Sequence, residues 1–467
     1  MRGESGTGQE RDRRLGTLAS TVDTRVYGRA SGLAGDHLAL TTSTPDRVRE
    51  QAFYSGFVRT PRMVAGGLLA LADIAGADFR QARNDPWRGR DPVVTGDGER
   101  LRFEALSMCG GLYGRLDLAA AELEGGATGR GTTNVDINPP LYQALTRVGG
   151  ADPLRLSVGA DGLAVATLDG GIVEKKVPLP TAWLRGLAEV AARALPLDLR
   201  LEIPAGRAMA LLAEMSARSG RRVRWLLPAG SAVRATAGPA PGGVCAADGF
   251  RLSVLRPLLP LARTVGLYAP PLSGAPAQVS GWVLDFGTAR FTLLMSAGAR
   301  DGFAGDGQLL ADLATDAATT DVDADADVLS ALLATDPVAS RASVGVRTGW
   351  DPTRVTAALA ALATAGQVGY DIAEASPFHR PLPYRADVVA ALHPRLAAAR
   401  VLAGAGRLVR TAAGIEVTSG DNTYLVHRRD GELACTCAWW ADHQGRRGPC
   451  KHVVAAVIVE QSGRSHE

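Results

Sequence analysis

Lysine is nearly missing from this chain. Of 51 basic residues in 467, only Lys175, Lys176 and Lys451 are lysines, and the rest are arginines. With abundant alanine and glycine, this bias reflects a GC-rich coding sequence and carries no mechanism. Apolar runs of roughly eighteen residues are absent, which excludes a membrane-spanning helix. The opening residues, MRGESGTGQERDRR, are charged and lack the apolar stretch of a secretory signal. Cysteine is scarce at five residues, and no pattern of pairs suggests a disulfide framework. These features together point to the cytoplasm. The net charge is only +3, so bulk charge does not call for a nucleic-acid partner. No Gly-Lys pair exists, which excludes a phosphate-binding P-loop. His-Glu-x-x-His and Gly-x-Ser-x-Gly are also absent, which excludes two common hydrolase sites.

What is present suffices for real cores. Apolar residues make up 46% and charged residues 21%, ordinary values for a globular protein. The length implies several domains. We expect an α+β, multi-domain chain. Residues 1–45 are polar and rich in Gly, Ser and Thr, and read as a disordered tail. Residues 46–310 read as an α+β region of one or two domains. It opens with a helix from Pro61 to Ala77, where Val64, Leu68, Leu71 and Ala75 share a face. RLRFEALSM, LRLSVGA, LAVATLD and GIVEKKVPL read as strands, with Asp161-Gly162 as a hairpin turn. Trp183–Leu195 and Ala205–Arg218 read as helices. VSGWVLDF and ARFTLLMS form a second hairpin around Gly287-Thr288.

Residues 322–385 have another shape. A helix from about Ala326, a second from Ser340 to Arg347 and a third opened by Asp351-Pro352 precede the strand QVGYD. Val355, Leu359 and Leu362 give the third helix one buried face, and Gly366 ends it. Three short helices and a strand resemble a winged helix-turn-helix, whose third helix would be the recognition helix. That helix offers Thr353, Arg354 and Thr356 and then mostly alanine. Asp323, Asp325 and Asp327 lie just upstream. Protein packing is at least as good a use for it as DNA.

The densest chemistry lies near the C-terminus. Cys435, Cys437, Cys450 and His452 follow the pattern Cys-x-Cys, twelve residues, Cys-x-His. Three thiols and an imidazole complete a tetrahedral Zn²⁺ shell, and a closed shell is structural rather than catalytic. Thr423–Arg428 and Glu432–Thr436 read as two strands around a turn at Arg429-Asp430-Gly431, and Val453–Glu460 reads as a helix. The competing reading is a redox pair plus an unrelated thiol. A Cys-x-Cys disulfide closes a small, strained ring, and cytosolic disulfides are uncommon, so zinc is the expectation.

This arrangement over residues 415–462 resembles the SWIM zinc finger, carried by CTC at 435–437, CKH at 450–452 and the strand-like NTYLVHRRDGELA before them. The length and layout are also similar to those of the bacterial SWIM zinc finger family proteins. The resemblance implies one structural zinc ion, a module that binds DNA or protein, and no catalysis. It further implies two protein partners, a MoxR-type AAA+ ATPase and a von Willebrand factor A domain protein.

Nucleic acid remains an alternative. From Ser376 onward twelve Lys/Arg face eight Asp/Glu. Arg428, Arg429, Arg446, Arg447 and Lys451 surround the zinc ligands, and Trp439 and Trp440 lie in the same loop. Cations beside aromatics can hold phosphates and stack bases. The plainer reading is a solvated loop with its tryptophans on a tiny core. The expected function is therefore a zinc-binding, non-enzymatic adaptor, with DNA or RNA binding as alternative. An enzyme with an unrecognised site in residues 98–310 is the second alternative. Asp136 and Asn138 could serve such a site, but Asn138 better suits the cap of a helix opened by Pro139. Phe53–Phe57 reads as a hydrophobic turn or an aromatic patch. Cys109 and Cys245 read as isolated thiols.

Overall fold

In the strand pair Arg100–Leu106 and Leu112–Ala119, apolar and charged residues alternate. The register pairs Phe103 with Leu116 and Ala105 with Gly114, and on the opposite face Arg102 with Asp117 and Glu104 with Arg115. Alternation of this kind ordinarily gives one core face and one wet face. Here both faces are buried.

The computed structural model describes residues 32–34, 37–39, 52–77, 91–126, 128–160, 162–175, 179–218, 224–229, 232–246, 249–271, 278–297, 302–303, 322–336, 339–364, 366–380, 394–429, 432–445 and 448–464. It is a mixed helix and sheet chain with several antiparallel sheets. Among the described residues the largest sheet has eight strands, in the order Asp198–Pro204, Thr264–Ala269, Ser280–Asp285, Ala289–Met295, Leu112–Ala119, Arg100–Leu106, Val93–Asp97 and Arg130–Asn134. Strands far apart in sequence meet at its centre, where Phe291 pairs with Leu116.

The apolar face carries the helix Pro61–Gly76, whose Val64, Leu68 and Leu71 are fully buried. Gly114 lets it approach: a Cβ there would meet Leu71 and Ile74. Glu122 fixes the start of this helix by accepting from the Thr60 amide and hydroxyl, both at 2.6 Å. A second sheet runs Gly170–Lys175, Gly162–Thr167, Arg155–Gly159 and Tyr54–Phe57. The aromatic segment at 53–57 is thus an edge strand, with Phe53 and Tyr54 buried, and not a turn. Within the span 1–45 only Gly32–Ala34 and His37–Ala39 are described, and they pair as short strands. The remainder of that span lies outside the described residues.

Helices Val322–Thr335, Arg341–Thr348 and Pro352–Thr364 share a core of Leu329, Leu333, Val344, Val355, Leu359 and Leu362. Ala191, from helix Thr181–Ala194, joins it. Ser340 and Asp351 accept from backbone amides at the starts of the second and third helices. The hairpin Val368–Asp371 and Ser376–His379 follows. It lies over the charged face of the large sheet and closes it off from water. Arg115 reaches Asp371 at 2.8 Å, Arg380 reaches Glu104 at 2.6 Å, and Phe378 lies under the guanidinium groups of Arg102 and Arg115.

At the C-terminus, helix Pro394–Gly404 precedes a four-stranded meander, Leu408–Thr411, Gly414–Ser419, Asn422–Arg429 and Glu432–Cys435. Helices Ala438–His443 and Lys451–Arg464 complete this unit. Its core joins Leu396, Ala399 and Leu402 to Val417, Val426, Val454 and the cysteines. That core therefore begins about twenty residues before the span 415–462 inferred from the motif.

Candidate metal centre

Cys435 ends the last strand of the meander, opposite Val426. Cys437 caps the helix Ala438–His443, its carbonyl accepting from Ala441 at 3.0 Å. The two do not share a strand face, as simple alternation suggests. A turn into the short helix brings the second thiol round. Cys450 immediately precedes helix Lys451–Arg464, and the Val453 amide points at its sulfur from 3.5 Å. His452 lies in the first turn, stacked on Tyr424 with ring centroids 4.3 Å apart.

These residues converge. All four side chains are buried, and their ligand atoms lie within 4.8 Å of one another. Nδ1 of His452 is 3.7 Å from Cys435 Sγ and 3.9 Å from Cys450 Sγ, while its Nε2 is buried without a hydrogen-bond partner. A tetrahedral zinc ion with Zn–S of about 2.3 Å and Zn–N of about 2.0–2.1 Å sets sulfur and nitrogen roughly 3.6 Å apart. These two separations match that within a few tenths of an ångström. The group fits one metal ion.

The electrostatics lead the same way. The hydrogen bond from Cys435 pushes the Cys450 thiol down to about 4, against its burial, with His452 adding to the effect. The Cys435 thiol, which holds that proton, is pushed up by the same bond and then by burial. Burial also raises Cys437. Three thiols so enclosed cannot all ionise alone. A divalent cation relieves the repulsion by displacing the protons. The donor set of three sulfurs and one imidazole suits Zn²⁺ and would supply the four ligands of a closed shell. Cys109 and Cys245 are buried free thiols away from this group.

The candidate nucleic-acid contacts lie on several elements of this unit. Trp439 is half-buried on the small core. Its Nε1 donates to the Gly448 carbonyl at 3.4 Å, its edge meets His443, and Arg395 covers its face at 4.7 Å. Trp440 packs on the same core. Both are on a helix, not in a loop. Arg428 and Arg429 end the strand Asn422–Arg429, with Arg428 3.9 Å from Glu460, and Lys451 opens the last helix. Arg446 and Arg447 lie outside the described residues. In the three-helix segment, Asp325 holds Arg354 through two hydrogen bonds of 2.6 and 2.7 Å. The side chains of Thr353 and Asp323 lie outside the described residues.

Sequence reasoning missed Arg395. It donates to the Pro449 carbonyl at 2.9 Å, one residue before the third cysteine. Nothing in the ligand motif points to a residue forty positions upstream. Only the apolar spacing of Leu396, Ala399 and Leu402 marks that helix. Elsewhere Asn138 does cap the helix Pro139–Thr146, accepting from Leu141 at 3.0 Å.

No family model matches the chain, and no curated protein matches it. Among solved structures, a proliferating cellular nuclear antigen from Entamoeba histolytica is 11% identical with a TM-score of 0.35, over 52% of this chain and 98% of the other. The PCNA2–PCNA3 complex of Sulfolobus tokodaii is 9% identical with a TM-score of 0.37, over 53% of this chain and 100% of the other. Identities and scores this low leave both likenesses without bearing on function.

Proposed function

We propose that this chain is a zinc-binding, non-enzymatic interaction protein, an adaptor whose C-terminal unit is a SWIM-type finger held by one Zn²⁺. The observation that carries this reading is the buried convergence of Cys435, Cys437, Cys450 and His452. A closed four-ligand shell supplies folding free energy and offers no position for substrate. Four charged residues on one face of the large sheet are taken up structurally. Arg102, Glu104, Arg115 and Asp117 spend their charges on one another and on the hairpin at 368–380. The hairpin at 368–379 packs on the large sheet and Arg354 of the third helix is held by Asp325, which supports a packing use for the winged-helix-like segment 322–385 rather than a DNA-reading one. The motif resemblance supplies the partner class, a MoxR-type AAA+ ATPase and a von Willebrand factor A domain protein, in the cytoplasm. Among the described residues no helix is long and apolar enough to cross a membrane.

Nucleic-acid binding through Arg428, Arg429, Arg446, Arg447 and Lys451 ranks second, because Trp439 is already occupied within the unit. Affinity capture from the native cell tests the order. Wild-type chain and the Cys435→Ser/Cys450→Ser variant are compared by mass spectrometry. A protein partner retained by the first and lost by the second supports the adaptor. Recovery of nuclease-sensitive material alone reverses the order.

A further inference from the structure

We propose that Arg395 is the positioning residue of the metal centre, tying its two ligand-bearing segments together from outside the Cys/His motif. This rests on the zinc reading and names a residue that acts through the groups around the ligands.

The ligands come from two chain segments, which nothing covalent joins locally. Cys435 and Cys437 lead into helix Ala438–His443, and Cys450 and His452 follow the turn at Gly448–Pro449. Arg395 touches both. Its Nη1 donates to the Pro449 carbonyl at 2.9 Å, which orients the peptide that carries Cys450. Its guanidinium plane lies over Trp439, two residues after Cys437, at 4.7 Å from the ring centroid. Trp439 in turn donates to the Gly448 carbonyl. One arginine, one indole and two carbonyls thus close a ring of contacts around the loop that delivers the third thiol.

Arg395 is itself fixed. Its neighbour Leu396 is fully buried in the same core as Cys435, Cys437 and Cys450. The planar guanidinium can donate in its plane and stack on an aromatic face at once, which an ammonium cannot do. Contacts of this kind, one shell beyond the ligands, hold metal-binding groups in their productive geometry.

The test uses the full chain. Zinc affinity is read by competition with a chromophoric chelator, and ligand geometry by the d–d bands of the Co²⁺-loaded protein. Arg395→Met should weaken zinc binding by about ten- to a hundredfold and shift or broaden the Co²⁺ bands. Arg395→Lys keeps the charge but not the fork, and should fall between Met and wild type. Val401→Ser, at an exposed site on the same helix, should bind like wild type. Wild-type affinity and an unchanged Co²⁺ spectrum in Arg395→Met would overturn the proposal. So would an Arg395→Lys variant identical to wild type, which keeps the question answerable if the Met variant does not fold. Wild-type protein that takes up neither metal overturns the zinc reading itself, a different result from metal bound without regard to residue 395.

Discussion

Arg380 donates to Glu104 across 2.6 Å, and both side chains are almost wholly buried. The two residues are 276 positions apart in sequence. The bond ties the end of the hairpin at 368–379 to the middle of the large sheet. Glu104 also accepts from the Tyr113 hydroxyl at 2.6 Å. The hairpin is therefore fastened by its charges as well as by Phe378 and by Ile372, which is buried in the core of the large sheet.

Removing one partner leaves a buried charge uncompensated. Arg380→Met should destabilise the chain by about 3–5 kcal/mol, and the double change Arg380→Met/Glu104→Leu should recover most of that loss. Urea titrations of both variants check this. A single variant within about 1 kcal/mol of wild type would mean that water reaches the pair.

Gly369 faces the Phe378 ring across the hairpin, and a Cβ there would overlap the ring. Gly369→Val should expel Phe378 from beneath Arg102 and Arg115 and raise hydrogen exchange in residues 368–380. Unchanged protection there would show that the ring has room to move.

Two carboxyl groups should give opposite pH slopes. Burial raises Asp91 from 3.8 to about 7, and the negative charge and hydrogen bond of Asp136 add to the shift. The folded state then binds a proton that the unfolded chain releases, so stability from this site falls as pH rises from about 4 to about 7. Asp91→Asn should therefore gain over wild type at pH 8 and lose that advantage near pH 4. At Asp371 burial opposes ionisation, but Arg115, Arg290 and Arg102 overcome it and hold the carboxyl well below its usual range. Its contribution is complete above the unfolded value and is lost as pH falls below about 4. Melting temperatures of wild type, Asp91→Asn and Asp371→Asn at three pH values separate the two effects. A pH-independent difference for Asp91→Asn would contradict the first.

Should nucleic acid prove to be a ligand, the phosphate contacts must show in salt. Five cations on duplex DNA give a log–log slope steeper than about −3, and Arg446→Ala/Arg447→Ala should flatten it by about two. Titrations at several salt concentrations measure this, and no binding at low salt leaves the adaptor alone.

The sequence disclosed what is local. Helix Ala205–Arg218 and the hairpin around Gly287-Thr288 follow from period and turn chemistry. The four ligands were legible by type and spacing, since few arrangements of three thiols and an imidazole serve anything but a metal. What stayed hidden is non-local. Arg102, Glu104, Arg115 and Asp117 meet only when two strands pair, and their partners Asp371 and Arg380 lie far along the chain. The strands Val93–Asp97, Arg130–Asn134, Asp198–Pro204 and Thr264–Ala269 were not foreseen, because their identity depends on neighbours they meet only in the folded sheet. The same holds for helix Pro394–Gly404, whose Arg395 acts on a motif forty residues on.

A unit this small needs its metal. A chelator should unfold residues 394–464, the helix at 394–404 included because it shares their core, and leave the large sheet protected. Hydrogen exchange with and without chelator checks this, and equal protection in both states would deny the metal a structural role.

The most direct measurement is the metal content of purified protein, wild type beside Cys435→Ser/Cys450→Ser. Elemental analysis should give one zinc per wild-type chain and none in the variant. A wild-type chain without zinc, or a variant that keeps it in full, would contradict the metal centre at Cys435, Cys437, Cys450 and His452.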